Sequence, residues 1–279
     1  MQDIAARVAD CARDERLPAG GTGGVLPLAA EAWLAQDLGI SRREVQMAAL
    51  LQGVMPRRYL RNQGNLSVED QLRLLASRAA QVGLGGLGGH VLEILARMGV
   101  GCIRAADADV FEEHNLNRQL LATQATLGMP KAEAAVLRVH DMNPAVTVEA
   151  LQDYLIEETL PKFLDGAQLA LDCLGGLASR LALQRAAAAA NIPLVTGAMA
   201  GLTGYVAVVR PGQPGPAEFL GQGSSAEDTL GTPAQSVALV ASLMAAEAVR
   251  LLTGQLSPLA GGMLLIDLAE MRFEKVSLV

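Results

Sequence analysis

Gly83-Leu84-Gly85-Gly86-Leu87-Gly88 satisfies the spacing Gly-x-Gly-x-x-Gly. Between a strand and a helix, that spacing lets backbone N–H groups and a helix N-terminus approach a phosphate. Asp107 stands nineteen residues beyond Gly88, at the end of the next apolar run, where a carboxylate can accept hydrogen bonds from a ribose. Taken alone, these features do not separate a nicotinamide enzyme from an ATP user. The polar string that follows, from Asp107-Ala-Asp109 through Asn115-Leu-Asn117-Arg118-Gln119 to Pro130-Lys131, favours the ATP user. Hydride transfer develops no new phosphate charge. Attack of a carboxylate on the α-phosphorus of ATP moves negative charge onto departing pyrophosphate, and an Arg and a Lys beside the nucleotide loop would stabilise it. Pro130 suits the first position of a helix, with Lys131 in its first turn near the N-terminus.

The elements that must position these groups alternate from Ser67 onward. Helices are expected over 68–77, 91–98, 131–142, 157–164, 177–190 and 234–253, and strands over 78–84, 102–106, 146–151, 168–173 and 192–196. Such alternation predicts an α/β fold, a doubly wound, Rossmann-like and mostly parallel sheet covered on both faces. After Thr203 the pattern changes: a strand over 204–210, a Gly/Pro/Ser loop over 211–233, and antiparallel C-terminal edge strands over 263–266 and 272–278. A loop of that length reads as a lid or a segment crossing a site. Residues 1–57 read as a small helical N-terminal extension, short helices around the turn 18–24, and residues 58–279 as the nucleotide-binding domain.

Composition narrows the partners. The 279 residues carry 22 Lys+Arg against 29 Asp+Glu, a net charge of −7, with no basic stripe for tracking phosphates, so nucleic acid is not expected. Cys11, Cys102 and Cys173 stand far apart with no Cys-x-x-Cys pair, which argues against a disulfide scaffold and a zinc knot and fits a reducing cytoplasm. The N-terminus mixes charges from residue 3, and the apolar stretch Ser236–Leu252 carries Glu247 and Arg250, so neither a secretory signal nor a membrane anchor is expected.

Together, Arg58-Tyr59-Leu60-Arg61, the 83–88 turn, Asp107-Ala-Asp109, Asn115-Leu-Asn-Arg118-Gln119, Pro130-Lys131 and Leu171-Asp172-Cys173 resemble, in order and spacing, the MoeB/ThiF/HesA group of ubiquitin-activating-enzyme-like adenylyltransferases. The resemblance covers about residues 57–279. It implies an enzyme that uses ATP to adenylate the C-terminal glycine of a small ubiquitin-like sulfur-carrier protein ending in Gly-Gly, for molybdopterin or thiamine synthesis, and that works as a homodimer. By position, Gly83, Gly85, Gly86, Gly88, Asp107 and Asp109 would hold the nucleotide, with Asp107 on the ribose. Asn115, Arg118 and Lys131 would engage the phosphates, and Arg61 would reach into the neighbouring subunit's ATP site.

Two departures stand out. Relatives place a magnesium-binding Asp where this chain has Gly175, in Asp172-Cys173-Leu174-Gly175-Gly176, which leaves Asp172 or Asp109 to help hold magnesium. Relatives also carry paired cysteines for zinc and a separate loop cysteine; no Cys follows position 173, so no zinc is expected. Three readings of the residues remain: ATP-dependent adenylation, a degenerate relative that binds nucleotide or carrier without turnover, and a nicotinamide-dependent oxidoreductase.

Overall fold

The computed structural model describes residues 2–18, 20–176, 179–220 and 226–278. The N-terminal part runs α1 (Gln2–Cys11), β1 (Arg13–Arg16), β2 (Thr22–Leu26), α2 (Leu28–Leu38), α3 (Arg42–Leu51) and β3 (Met55–Pro56). Of the turn expected over 18–24, residues 22–24 belong to β2 instead: β1 is antiparallel to β2, and β2 is parallel to β3. This extension is therefore helices packed with a small three-stranded sheet around Val8, Leu26, Leu34, Val45 and Ala49. The charged Arg13-Asp-Glu-Arg16 carries no apolar alternation, so β1 exists through its ladder with β2 alone.

After the 3-10 segment Arg57–Asn62, the chain continues with α4 (Val68–Ala76), β4 (Arg78–Val82), α5 (Gly86–Met98), β5 (Cys102–Ala106), α6 (Lys131–Met142) and β6 (Thr147–Leu151). Then come α7 (Leu160–Leu164), β7 (Leu169–Asp172), α8 (Arg180–Ala189), β8 (Leu194–Ala200) and β9 (Thr203–Val209). The last elements are α9 (Pro216–Phe219), α10 (Glu227–Leu230), α11 (Ala234–Leu252), β10 (Gly262–Asp267) and β11 (Arg272–Ser277). Two of these helices, α9 and α10, fall inside the segment 211–233 expected to be loop. Residues 221–225 of that segment, and 177–178 of the helix expected at 177–190, lie outside the described residues.

An eight-stranded sheet runs β11-β10-β9-β8-β7-β4-β5-β6. Strands β6, β5, β4, β7 and β8 are parallel, and β8 through β11 are antiparallel. The chain steps from β4 outward through β5 to β6 and returns on the other side at β7, so the carboxyl ends of β4 and β7 flank a crevice where the winding reverses. On one face Val91, Leu95, Ala135, Val240 and Met244 of α5, α6 and α11 form one core with the sheet. On the other, Phe163, Leu164, Leu183 and Ala187 of α7 and α8 form a second. Helix α11 is long and apolar enough, by length and composition, to cross a membrane, but half of that window is buried inside the fold.

Candidate active site

The glycine turn sits at the crevice. Gly83 has φ +97°, and a Cβ there would lie 2.4 Å from the Cys173 carbonyl oxygen, so only glycine lets β4 and β7 end this close together. A Cβ on Gly88 would lie 2.0 Å from the Gly83 carbonyl oxygen. The Gln81 amide binds both sides of the turn, its Nε2 donating to the carbonyls of Gly83 (3.0 Å) and Gly88 (2.8 Å). Helix α5 begins within the turn, at Gly86 rather than near Val91, and no side chain caps it. Its first N–H groups therefore remain available to an anion.

Asp107 follows β5 and clamps the turn: Oδ2 accepts from the Leu84 N–H at 2.7 Å and Oδ1 from the Asp109 N–H at 2.9 Å. Lys131 opens α6 and is only 6% exposed. Pro130 is the residue just before the helix rather than its first member. A buried ammonium needs a counter-charge. Asp109 Oδ2 supplies it at 2.9 Å, with Asp107 Oδ1 at 4.0 Å, while the Tyr154 hydroxyl donates to Asp109 Oδ1 at 3.4 Å. Asn115 is buried and its Oδ1 accepts from the Glu112 N–H, fixing the loop that carries Arg118. The Arg118 Nη1 donates to the His114 carbonyl and to Asn117 Oδ1, both at 2.8 Å.

Gly83, Asp107, Asp109, Asn115, Arg118 and Lys131 all line one cavity of about 400 Å³, together with Gly85, Gly86 and Gly175. Gly88 closes the turn from behind. A second cavity of about 620 Å³ runs over β8 to β11, and Met199 and Glu227 line both. Burial pushes the Glu227 carboxyl up, against the pull of Arg180 and Arg118. Arg61 is exposed and does not line the nucleotide cavity of its own chain.

Asp172, expected to help hold magnesium, faces inward instead. It is 1% exposed, its Oδ2 accepts from Arg180 Nη1 (2.8 Å) and Thr196 Oγ1 (2.7 Å), and its Oδ1 accepts from the Leu174 N–H (3.2 Å). Arg180, itself 1% exposed, also donates to the carbonyls of Leu174, Gly176 and Gly197, so this ion pair shapes the loop after β7. Cys173 beside it is buried, and desolvation pushes its thiol far above the ordinary range.

A magnesium ion takes oxygen ligands from one or two carboxylates besides the phosphates. Here Asp107 is held by two N–H groups, Asp109 by Lys131 and Asp172 by Arg180. Among the described residues no group of three or more His, Cys, Asp or Glu could hold a metal. Asp153 and Glu227 also line the cavity, and with Asp109 they are the carboxylates that would help hold magnesium there.

Sequence reasoning did not find Gln81, Tyr154, Glu227 or the role of Arg180. Gln81 carried one available signal, a polar residue inside an apolar strand just before the glycines.

Fold and cavity together define a Rossmann-like domain whose glycine turn shares one cavity with an Arg and a Lys. Residues 59–278 match the ThiF family, and the chain belongs to it. It is 33% identical over 208 residues to the sulfur carrier protein ThiS adenylyltransferase of Escherichia coli, covering 73% of this chain and 82% of that one. It is 36% identical over 221 residues to a sulfur carrier protein adenylyltransferase of Thermus thermophilus (75% and 81% covered). To the molybdopterin-synthase adenylyltransferase of E. coli it is 31% identical over 216 residues (76% and 87%). In fold it is similar to E. coli MccB with ATP, at a TM-score of 0.69 and 21% identity over 79% of this chain and 71% of that one. A structure of the microcin C7 biosynthetic enzyme MccB in complex with N-formylated MccA gives a TM-score of 0.67 at 17% identity, covering 97% of this chain and 96% of that one. That likeness of fold takes in most of the N-terminal extension. The enzyme class is that of the named relatives, ATP-dependent adenylyltransferase.

Proposed function

We propose that this enzyme adenylates the C-terminal carboxylate of a small ubiquitin-like sulfur-carrier protein ending in Gly-Gly, of the molybdopterin or thiamine type. A carboxylate oxygen of the carrier attacks the α-phosphorus of ATP, the bond from that phosphorus to the bridging oxygen breaks, and pyrophosphate leaves with the electron pair, giving acyl-adenylate. The observation that carries the reading is the convergence of Arg118 and Lys131 on the cavity that the glycine turn and Asp107 also line. Asp107 holds the ribose, the 83–88 turn and the start of α5 receive the phosphates, and the two cations take up the charge that moves onto pyrophosphate. The cavity over β8 to β11 offers an extended carrier tail a route, because it meets the nucleotide cavity at Met199 and Glu227.

Arg61 belongs to a cytoplasmic homodimer in this reading, completing the ATP site of the second subunit from its exposed position. ATP–pyrophosphate exchange tests the whole. Exchange that requires a Gly-Gly carrier and disappears in Arg118→Ala supports it; tight ATP binding with no exchange for any carrier rejects it. The second reading, a relative that binds without turnover, is favoured by one observation, the missing carboxylate at Gly175. Gly175→Asp decides there: a gain of exchange by orders of magnitude would mark the native chain as non-catalytic.

A further inference from the structure

A third cavity, of about 650 Å³, shares no lining residue with the nucleotide cavity or with the one over β8 to β11. It lies at the other end of the sheet: Leu194, the first residue of β8, and Val209, the last of β9, line it, whereas the nucleotide cavity meets β8 near its far end, at Met199. Its volume is that of a small-molecule site. Two guanidinium groups stand on it, Arg185 of α8 and Arg210 just after β9. Both are exposed, and among the described residues neither has an ion-pair or side-chain hydrogen-bond partner. The one carboxylate in the lining, Glu218, is already engaged: its Oε1 accepts from Gln184 Nε2 at 2.6 Å and from the Gly215 N–H at 3.2 Å. In a chain of net charge −7, this cavity carries two cations against one anion.

Two amide oxygens complete the polar lining. Gln184 is 6% exposed, and with its Nε2 on Glu218 its Oε1 is buried without a partner; the Oε1 of Gln213 is buried and unpartnered too. Native structures keep few such unmatched acceptors, because each costs the desolvation of a polar atom with nothing in return. In the other two cavities the same mark falls on Gln119 Oε1 and on the Tyr205 hydroxyl. The end of α8 adds no acceptor, since the carbonyls of Ala186, Ala187 and Ala188 already take the N–H groups of Ala190, Ile192 and Asn191. We infer that this cavity is a second ligand site, which takes a small organic carboxylate with an apolar body and an N–H donor, of the size of an acylated amino acid. The guanidinium groups take the carboxylate, the surface of Leu194 and Val209 the apolar body, and the amide oxygens of Gln184 and Gln213 the N–H. Arg210 and Gln213 belong to one turn, closed by the Gln213 N–H on the Arg210 carbonyl at 3.0 Å, so a carboxylate drawn to the first brings its neighbouring N–H to the second.

The experiment is a ligand-detected NMR titration of the full-length protein with N-acetyl-L-leucine, for wild type, the double variant R185A/R210A and R118A. Both arginines of the double variant are exposed and unpartnered, so its melting temperature should match that of wild type. Wild type is expected to bind with a Kd of about 0.1–5 mM, the range open to a ligand of this size. Affinity falls about tenfold or more in R185A/R210A, the worth of one charge-assisted hydrogen bond, and stays within about twofold in R118A, which lines the other cavity. N-acetyl-L-leucinamide, which lacks the charge, and inorganic phosphate, which lacks the apolar body, each bind about tenfold or more weakly than N-acetyl-L-leucine. No binding by wild type up to about 20 mM probe overturns the inference. So does undiminished binding by R185A/R210A, or loss in R118A in its place, which would put the probe in the nucleotide cavity. Phosphate binding as tightly as N-acetyl-L-leucine would show a bare cationic patch, and leucinamide binding as tightly would show that the arginines hold no anion; either result also overturns it.

Discussion

The two ends of helices α5 and α6 are built to opposite purposes. At their starts lie the glycine turn and Lys131, with an uncapped helix N-terminus and an ion pair that a ligand can exchange. At their far ends the carbonyls are answered: Asn143 Nδ2 donates to Ala96 O at 2.8 Å, Gln71 Nε2 to Met98 O at 2.7 Å and Arg58 Nη1 to Met142 O at 2.9 Å. Tyr59, fully buried, ties these ends to the N-terminal extension, accepting from Asn143 at 2.9 Å and donating to Gln46 Oε1 on α3 at 3.1 Å. The fit is close enough that a Cβ on Gly99 would lie 2.6 Å from the Tyr59 hydroxyl oxygen. The same two helices thus anchor the fold at one end and leave binding capacity open at the other. Stability and ligand binding should separate accordingly.

The largest expected effect is at the open end. Lys131→Ala should lower carrier-dependent ATP–pyrophosphate exchange by roughly a hundred- to a thousandfold, the usual cost of removing one charge-stabilising group, with little change in melting temperature. At the anchored end, Tyr59→Ala should cost about 3–5 kcal/mol of stability by chemical denaturation while leaving the Kd for ATP unchanged. A Tyr59→Ala variant that stayed folded and lost ATP affinity would break the separation. Tyr59→Phe, which leaves the Asn143 and Gln46 amides short of a partner, should cost about 1–3 kcal/mol. It should also change the alkaline limb of stability. Burial pushes the Tyr59 hydroxyl up to about 12, so the folded state keeps a proton that the unfolded chain loses near pH 10. That contribution is fully present below the unfolded value and is lost as pH rises through about 12, up to about 3 kcal/mol, so the decline across this window should be shallower in Tyr59→Phe. The smallest effect belongs to neither end. Ser67 caps α4 through a reciprocal pair with Asp70, and Ser67→Ala should cost about 1 kcal/mol with no change in ATP binding.

The open end was far more legible in the sequence than the anchored one. Strand β5 and helix α6 have the bounds that their apolar periodicity predicts, and the glycines, Asp107 and Lys131 are local signals at fixed spacing. The Tyr59–Asn143 contact joins positions 84 residues apart, and nothing in either one's neighbourhood points to the other. Strand β1 escaped because its charges show no burial pattern, and the early start of α5 because glycines read as turn rather than helix. Asp172 was misread for a related reason. A carboxylate at a strand end looks available until Arg180, eight residues on, folds back beneath the loop to claim it.

The most direct test of the central claim is ATP binding itself, by calorimetry on wild type and Lys131→Ala under identical conditions. One saturable site per chain in wild type, lost in Lys131→Ala while the melting temperature holds, is the predicted result. No heat with wild type, or an unchanged Kd in the variant, would contradict it.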